Sequence, residues 1–484
     1  MPGQPVVGVH GVLSYEDMDN RTVAGQGYTD SLWWSQLDAA DTAVVRPPVQ
    51  GNADHDVVIV GGGLTGLWSA YYLLVRDPSL RVAVVEQSVI GAGASGRNGG
   101  WCSALLPIEW ADLAKRYGRD ATIAFQRAAD GTLLEIERVV AERGIDCDFA
   151  RGGYLKTAGD AVQLERLQHE LADARAWART EDDLRSLTAE EARAVIDAPA
   201  ALGGLFNPHC AAVQPAKLTR GLGAVVQSMG AVIHEHTRAV ELRPGSVRTE
   251  HGDLRADVIV RATEGYSGEL PGAQREVLPF YSSMIATEPL PADVWAKIGW
   301  RSRETWNDAT RNMFYAQRTA DGRIAFGGRG ARQRFSGKLV DPLPELDAVQ
   351  RGLRARLVQE LPQVADASIT HRWAGVLGIT RDWMPSVRFD RASGLAVAGG
   401  YGGDGVALTN LAGRTVADLV QGEQSDLLRL PWVGHESRKW EPEPWRWLGV
   451  RAGETLAELS DKAEQRSGKR SRVFGGISRA LSGH

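Results

Sequence analysis

Asp56-Val-Val-Ile-Val60 runs without a break into Gly61-Gly-Gly63-Leu64-Thr65-Gly66 and then into the apolar stretch Leu67–Val75. This segment decides the architecture. The first five residues make a short, nearly uniform apolar run of the kind that forms a buried parallel strand. The glycines that follow differ in what they allow. Gly61 permits the tight turn, Gly63 lets the backbone approach a pyrophosphate, and Gly66 lets the helix pack close to the strand. The helix start offers N–H groups and a partial positive charge to the phosphates. Arg81-Val-Ala-Val-Val-Glu86 follows as a second strand and completes a βαβ unit. Glu86 lies 20 residues beyond Gly66, where a carboxylate takes ribose hydroxyls, and Gln87 follows it rather than a base that would hold a 2′-phosphate. The plain alternative, a tight turn with a solvated glutamate, leaves the flanking strand, helix and acid unexplained.

Outward from this unit, Gly91-Ala-Gly-Ala-Ser95-Gly96-Arg97-Asn98-Gly99-Gly100 is a second glycine-rich loop. Beside the first it favours FAD over NAD, because a longer cofactor runs past both loops. Arg97 and Asn98 supply donors and the glycines allow close backbone approach. An ordinary Gly/Ser loop is the competing reading. Near the other end, Leu395-Ala-Val-Ala-Gly-Gly400 leads into a third glycine turn and a helix to about Val420. Between them lie helical, charged segments (Trp110–Tyr117, Ala124–Arg143, Val162–Trp177, Thr188–Val195) and strand-like runs (Ala231–Leu242, Ser246–Thr249, Ala256–Ala262, Met284–Thr287, Arg323–Gly328), with a helix near Pro344–Leu361. A short helix is expected at Asp30–Trp34, capped by Asp30 or Ser31. One nucleotide domain assembled from separated segments, with a second domain inserted into it, accounts for this order. The expected limits are an N-terminal extension (1–50), an FAD-binding domain (51–110, 200–270 and 370–430), a substrate domain (111–199 and 271–369) and a Trp-rich, basic tail (431–484).

GGGLTG, the glutamate ending the second strand and GASGRNGG together resemble the D-amino-acid-oxidase-like (DAO) family of FAD-dependent oxidoreductases, and within it the gamma-glutamylputrescine-oxidase-like amine oxidases. The likeness continues at Val258–Gly265, Met284–Pro289, Trp373–Asp382 and Gly399–Ala407, in family order over about residues 56–421. The resemblance implies an α/β fold (α+β overall): a Rossmann-like FAD-binding domain of glutathione-reductase type and an inserted substrate domain on a mixed β-sheet. It implies that Ala262 and Thr263 contact the cofactor from a strand end and that Ala239 lies beside the adenine. It also places the turn Gly402-Gly403-Asp404-Gly405-Val406 beside the flavin ring, where a helix start stabilises negative charge on reduced flavin. Glu264 stands where many relatives have glycine. Sarcosine-oxidase-like members attach flavin through a cysteine at about the position of Gly375, so non-covalent FAD is expected here; Cys102 is the thiol nearest the second glycine loop in sequence.

The implied reaction carries hydride from the carbon next to an amine to flavin N5. The imine formed hydrolyses to an aldehyde, and O₂ as electron acceptor gives H₂O₂. No Ser/His/Asp constellation is evident, and no HxH or HExxH motif suggests a metal. Asp404 reads two ways, as an acid that favours a cationic amine substrate or as a helix cap for Val406 and Ala407. In the sarcosine-like pattern a carboxylate-binding lysine sits where this chain has Ala407. Asp404, Arg329, Tyr315 and Trp373 are the candidate catalytic or substrate-chamber residues, with Trp101, Tyr281 and Arg318 beside them; core packing or a surface ion pair is the competing role for each. An amino-acid or N-methyl-amino-acid oxidase, a dehydrogenase passing electrons to a quinone or carrier, and a flavin-bearing protein without activity stay open.

Composition narrows the rest. At 484 residues, 43% hydrophobic and 24% charged, the chain is neither disordered nor a one-core module. Three cysteines cannot staple it. A net charge of −5 gives no footprint for nucleic acid. No stretch reads as a membrane span, and the N-terminus lacks the pattern of a signal peptide, so a cytoplasmic location is expected. Val473–Leu481 could form a surface-binding amphipathic helix. Oligomeric state is not encoded legibly.

Overall fold

The structure, a computed structural model, describes residues 28–329, 335, 339 and 346–469. The basic end beyond Lys469, with the amphipathic segment Val473–Leu481, lies outside the described residues.

The opening strand is Ala53–Val60, and its second half is buried on both faces, as its unbroken apolar run requires. It pairs in parallel with Val82–Val85 on one side and Gly252–Arg261 on the other. Leu395–Gly399 adds beyond Gly252–Arg261, and Val232–His234 beyond Val82–Val85, again in parallel. An antiparallel edge strand, Ser386–Asp390, and the hairpin strands Ala239–Arg243 and Ser246–Thr249 complete this first sheet. Its five parallel strands thus come from residues as far apart as 53 and 399.

The helices Leu64–Arg76 and Gly405–Gln421 pack along one another on this sheet. A β-carbon on Gly413 would stand 2.6 Å from the Trp68 carbonyl carbon, so the contact needs glycine there. Asn410 donates to the Tyr72 hydroxyl at 2.9 Å across the same seam.

A second sheet runs in the order Ile369–Ile379, Leu278–Thr287, Ile324–Arg329, Phe314–Arg318, Thr305–Asp308, Tyr154–Ala158, Gly203–Asn207, Arg185–Thr188. It is antiparallel except between Thr305–Asp308 and Tyr154–Ala158, and so mixed as expected. Two strands fall across the expected domain limits. Gly203–Asn207 and Ile369–Ile379 come from segments assigned to the FAD-binding domain, yet both belong to the second sheet.

The segment read as an N-terminal extension is built into the core from Tyr28 onward. Ser31 caps a one-turn helix, Leu32–Ser35, by accepting the Trp34 N–H. Leu32 and Trp33 are fully buried. Further on, Arg46 joins Arg220 around the buried Glu235, whose Oε1 also accepts the Ile90 N–H at 2.9 Å. That carboxylate binds the entering chain to the sheet edge. Among the described residues no helix is long and apolar enough to cross a membrane.

Candidate active site

The first glycine turn is held from both sides. Gly61 donates to the Val85 carbonyl at 2.9 Å, and Ala262 donates to the Val60 carbonyl at 2.8 Å. Gly61 has φ +112, and a β-carbon there would run into the Ala262 carbonyl. Ala262 and Thr263 therefore stand at the strand end beside the turn. Thr263 spends its hydroxyl on Ser267 at 2.8 Å.

Glu86 turns back onto the turn, accepting the Gly62 N–H at 2.8 Å on one oxygen and the Ser88 N–H at 2.9 Å on the other. Burial pushes its carboxyl above the ordinary value and these N–H groups oppose the push. With the Gln87 N–H also bearing on it, three donors meet about four lone-pair sites, which leaves room for a further donor, the requirement for a group that takes ribose hydroxyls. Gln87 is exposed. Thr237, two residues before Ala239, donates its N–H to the Glu86 carbonyl at 2.8 Å, so the strand bearing Ala239 starts beside this carboxylate.

The second glycine loop is pinned to the first. Ser95 Oγ accepts the Leu64 N–H at 2.9 Å, and a β-carbon on Gly63 would meet that Oγ at 2.8 Å. Asn98 uses its side chain inside the loop, donating to the Ala94 and Ser95 carbonyls and accepting the Gly100 N–H. It shapes the loop. Gly96 is buried, as is Arg97, whose guanidinium donates to the Tyr266 hydroxyl at 3.0 Å. Gln317 donates to the Gly99 and Val213 carbonyls at 2.9 and 3.1 Å, and Trp33 donates its indole N–H to the Asn98 carbonyl at 2.8 Å. Sequence reasoning misses both of these supports. The adjacent Trp33-Trp34 in a serine-capped turn is the one signal that points to the second.

The third turn meets the first in space. Thr65 Oγ1 donates to the Tyr401 hydroxyl at 3.2 Å across a separation of 336 residues. Gly400, Gly402 and Gly403 have φ of +81, +60 and +124, values that favour glycine. Neither helix is capped by the side chain of its own N-cap residue: Gly63 and Asp404 stand there and neither makes a side-chain cap bond, while Ser95 takes the first N–H of the Leu64 helix from outside it. The cap reading of Asp404 is thereby removed. Instead Asp404 accepts the Ser103 hydroxyl at 3.3 Å. Two helix starts without an N-cap side-chain bond, a returned carboxylate as acceptor and glycines at the points of close approach form a set that fits FAD.

Trp101–Ser103 is the strand that brings the aromatic candidates to this end. Alternation puts Trp101 and Ser103 on one face. Ser103 meets Asp404, while the Trp101 ring lies 6.5 Å from Tyr315 and 5.3 Å from Tyr154. Tyr315 also meets the Ser282 hydroxyl, and a β-carbon on Gly99 would stand 3.0 Å from its ring. Asp404, Trp101 and Tyr315 are thus brought together beside the second and third loops. Trp373 is placed differently: it is 1% exposed, packs edge-on to Trp33, and donates to the Arg97 carbonyl at 2.9 Å. It supports the loop from the core. Tyr281 is buried against Val376, and Arg318 lies over Trp295 at 4.1 Å. Arg329 ends its strand opposite Ser282; its side chain lies outside what the structure describes.

Cys102, Cys147 and Cys210 are all buried. Burial raises each thiol, Cys147 and Cys210 to about 12 and Cys102 well above its ordinary value. Such thiols make poor nucleophiles toward a flavin. Gly375, the position of the covalent cysteine in sarcosine-oxidase-like relatives, faces Arg97 across 3.5 Å from where a β-carbon would stand. Acid precipitation of the holoenzyme is expected to leave all yellow colour in the supernatant; colour retained by the pellet would contradict non-covalent binding.

Two further clusters are structural in geometry. Asp382 takes the Ser437 hydroxyl on Oδ1 at 2.6 Å and both His435 Nε2 and Arg116 on Oδ2. Serine and acid thus share one side of the imidazole, whereas a nucleophilic triad needs them on opposite nitrogens. Burial works against the Asp382 charge, but bonds from His435, Ser437 and Arg116 outweigh it and hold the carboxyl far below its ordinary range. Asp130, Asp183 and His209 gather within metal-ligand distance. Arg179 already ion-pairs with both acids there, so a cation is built in.

Comparison with known proteins agrees with this construction. Residues 56–419 match the family model described as "DAO: FAD dependent oxidoreductase". Gamma-glutamylputrescine oxidoreductase of Escherichia coli is 30% identical over 76% of this chain and 84% of its own length. Glycine oxidase of Pseudomonas aeruginosa is 30% identical over 78% of this chain and 98% of its own. The crystal structure of glycine oxidase from Geobacillus kaustophilus, at 23% identity, superposes with a TM-score of 0.62 over 79% of this chain and 99% of that one. The chain belongs to the DAO family of FAD-dependent oxidoreductases.

Proposed function

We propose that this enzyme oxidises the C–N bond of a cationic amine or amine derivative, with O₂ as the final acceptor. The observation that carries the reading is Asp404, bonded to Ser103 at the mouth of the third loop and accompanied by Trp101 and Tyr315. A carboxylate with aromatic faces nearby recognises a cation by charge complementarity and by cation–π attraction of about 0.5–2 kcal/mol. Ala407 stands where a lysine would clamp an α-carboxylate, which weighs against α-amino acids. Gamma-glutamylputrescine oxidoreductase, among the relatives, points the same way.

In this reading the three glycine loops and Glu86 hold FAD, which supplies the hydride acceptor when bound. Asp404 holds the substrate's distal or departing cationic end in place. Trp101 and Tyr315 orient its chain and exclude water from the reacting carbon. An amine gives up hydride only as the free base, so the ionised form must lose a proton before reaction; no strong base is required of the protein. Water then attacks the released imine to give the aldehyde.

The test is a panel of amines and amino acids read by anaerobic bleaching of the flavin. Amines and polyamine derivatives are expected to bleach it and α-amino acids to leave it yellow, with peroxide released on admitting air. The similarity to glycine oxidase makes bleaching by glycine or sarcosine alone the result that would replace this reading. Turnover with a quinone but without peroxide would assign a dehydrogenase. Asp404→Asn is expected to raise KM for the best amine about tenfold, the size of one lost charge-assisted bond, with kcat within a factor of about three.

A further inference from the structure

Glu264 stands where the two sheets meet. It is a non-glycine residue with φ +41, a conformation that L residues rarely adopt. Its carboxyl accepts the Gly400 N–H at 2.8 Å and the Tyr401 N–H at 3.3 Å. A third N–H, from Gly378, also bears on it. Gly400 and Tyr401 open the third loop of the first sheet, whereas Gly378 lies on the strand Ile369–Ile379 of the second. A β-carbon on Gly399 would come within 2.7 Å of Oε2 and one on Gly378 within 3.2 Å of Oε1. The two neighbouring strands carry glycine where this carboxyl needs room.

We propose that Glu264 is a positioning residue for the flavin-edge loop: its ionised carboxylate ties the Gly400 and Tyr401 N–H groups to the second sheet, so that the pose of Gly399–Asp404, and the affinity for FAD with it, follows the proton on this side chain. The inference rests on assigning that loop to the flavin and is independent of which amine is oxidised. An ionised carboxylate is acceptor-only and makes charge-assisted bonds to backbone N–H groups. Once protonated, one oxygen becomes a donor facing donors, and at least one N–H group is left with a weakened partner.

The surroundings favour a change near neutrality. Burial raises the carboxyl to about 7, against the pull of the Gly400, Tyr401 and Gly378 N–H groups. Charged and titratable groups on the adjoining elements are engaged elsewhere. On its own turn Tyr266 accepts from Arg97, and on its own strand Arg261 pairs with Glu276. On the loop Tyr401, raised by burial, accepts from Thr65, and Asp404 accepts from Ser103. Beyond the second-sheet strand Arg381 pairs with Glu441.

The sign differs for folding and for cofactor binding. With a native value above the ordinary 4.5, the contribution of Glu264 to fold stability is full below about pH 4.5, falls as pH rises toward about 7, and is flat above. FAD affinity runs the other way and improves as the carboxylate forms.

Apoprotein titrated with FAD, followed by quenching of flavin fluorescence between about pH 6 and about pH 8.5, tests this directly. For the wild type, Kd is expected to fall about tenfold across that range, the size of one charge-assisted hydrogen bond. Glu264→Gly removes the carboxyl and relieves the positive φ, so it should fold; Glu264→Gln keeps the shape but turns an amide NH₂ toward a backbone N–H. Both are expected to bind FAD with a flat pH profile, near the weaker wild-type value. A wild-type step that persists in both variants, or a wild type that binds FAD with no step, overturns the role of Glu264. A wild type that takes up no FAD at any pH overturns the assignment of the loop and the inference with it.

Discussion

A Gly61→Val protein is expected to purify without colour and to bind added FAD at least about 100-fold more weakly than the wild type, a loss of about 3 kcal/mol. Two causes act at once. The residue has φ +112, and its β-carbon would stand 2.9 Å from the Ala262 carbonyl carbon, closer than ordinary contacts allow. The carbonyl belongs to the residue just past the neighbouring parallel strand Gly252–Arg261, so neither backbone can withdraw without breaking the Ala262-to-Val60 bond. The turn must shift, and with it the N–H groups we assign to the pyrophosphate. Gly245→Val is the control. It too has positive φ, +76, but meets nothing within 4 Å, so it should lose stability modestly and keep its flavin. Equal loss of flavin in the two would show that strain alone, and not the shape of the cradle, governs binding.

Trp33→Ala should destabilise the fold by about 3–5 kcal/mol, the usual result of emptying a buried tryptophan site. Trp33 is 1% exposed and packs on Trp373 at a ring separation of 5.8 Å. Its indole N–H holds the Asn98 carbonyl, and its own carbonyl accepts from Gln214. Removing it frees the second glycine loop on one side and leaves a cavity on the other. The expected readout is a lower urea midpoint together with weaker FAD binding. A Trp33→Phe variant should recover most of the packing and little of the hold on Asn98, so stability should return further than affinity. Wild-type stability in Trp33→Ala would mean that the N-terminal segment is peripheral.

The cofactor half of the fold is readable because its signals are local. Val57–Val60, the three spaced glycines and Glu86 sit within one βαβ unit, and strand, turn and helix each carry their own pattern. The helix Trp110–Tyr117 and the strand Ser246–Thr249 match their expected limits, since each is bounded by turn residues. What is not readable depends on pairing across long separations. Gly203–Asn207 and Ile369–Ile379 are not among the strands read from the sequence; only their partners, Tyr154–Ala158 and Leu278–Thr287, reveal them and assign them to the second sheet. The same holds at the site. Asp404 can be named from its loop, but its release from capping depends on Ser103, 301 residues away. Gln317 carries no motif at all. Trp373 reads from the sequence as a substrate-chamber candidate, and only its burial against Trp33 reveals that it braces Arg97 from behind.

The contact between Thr65 and Tyr401 has a bearing on how the molecule is made. Leu395–Gly399 and the helix after it leave the ribosome late, yet they pair with Gly252–Arg261 and pack on Leu64–Arg76. Until they arrive, the nascent polypeptide has an open sheet edge and an apolar helix face with nothing to cover them, and such surfaces invite aggregation. With Gly399–Asp404 assigned to the flavin edge, loading of the coenzyme is expected to await synthesis of this late segment. Messages truncated before about codon 400 should yield insoluble product, not a smaller yellow domain.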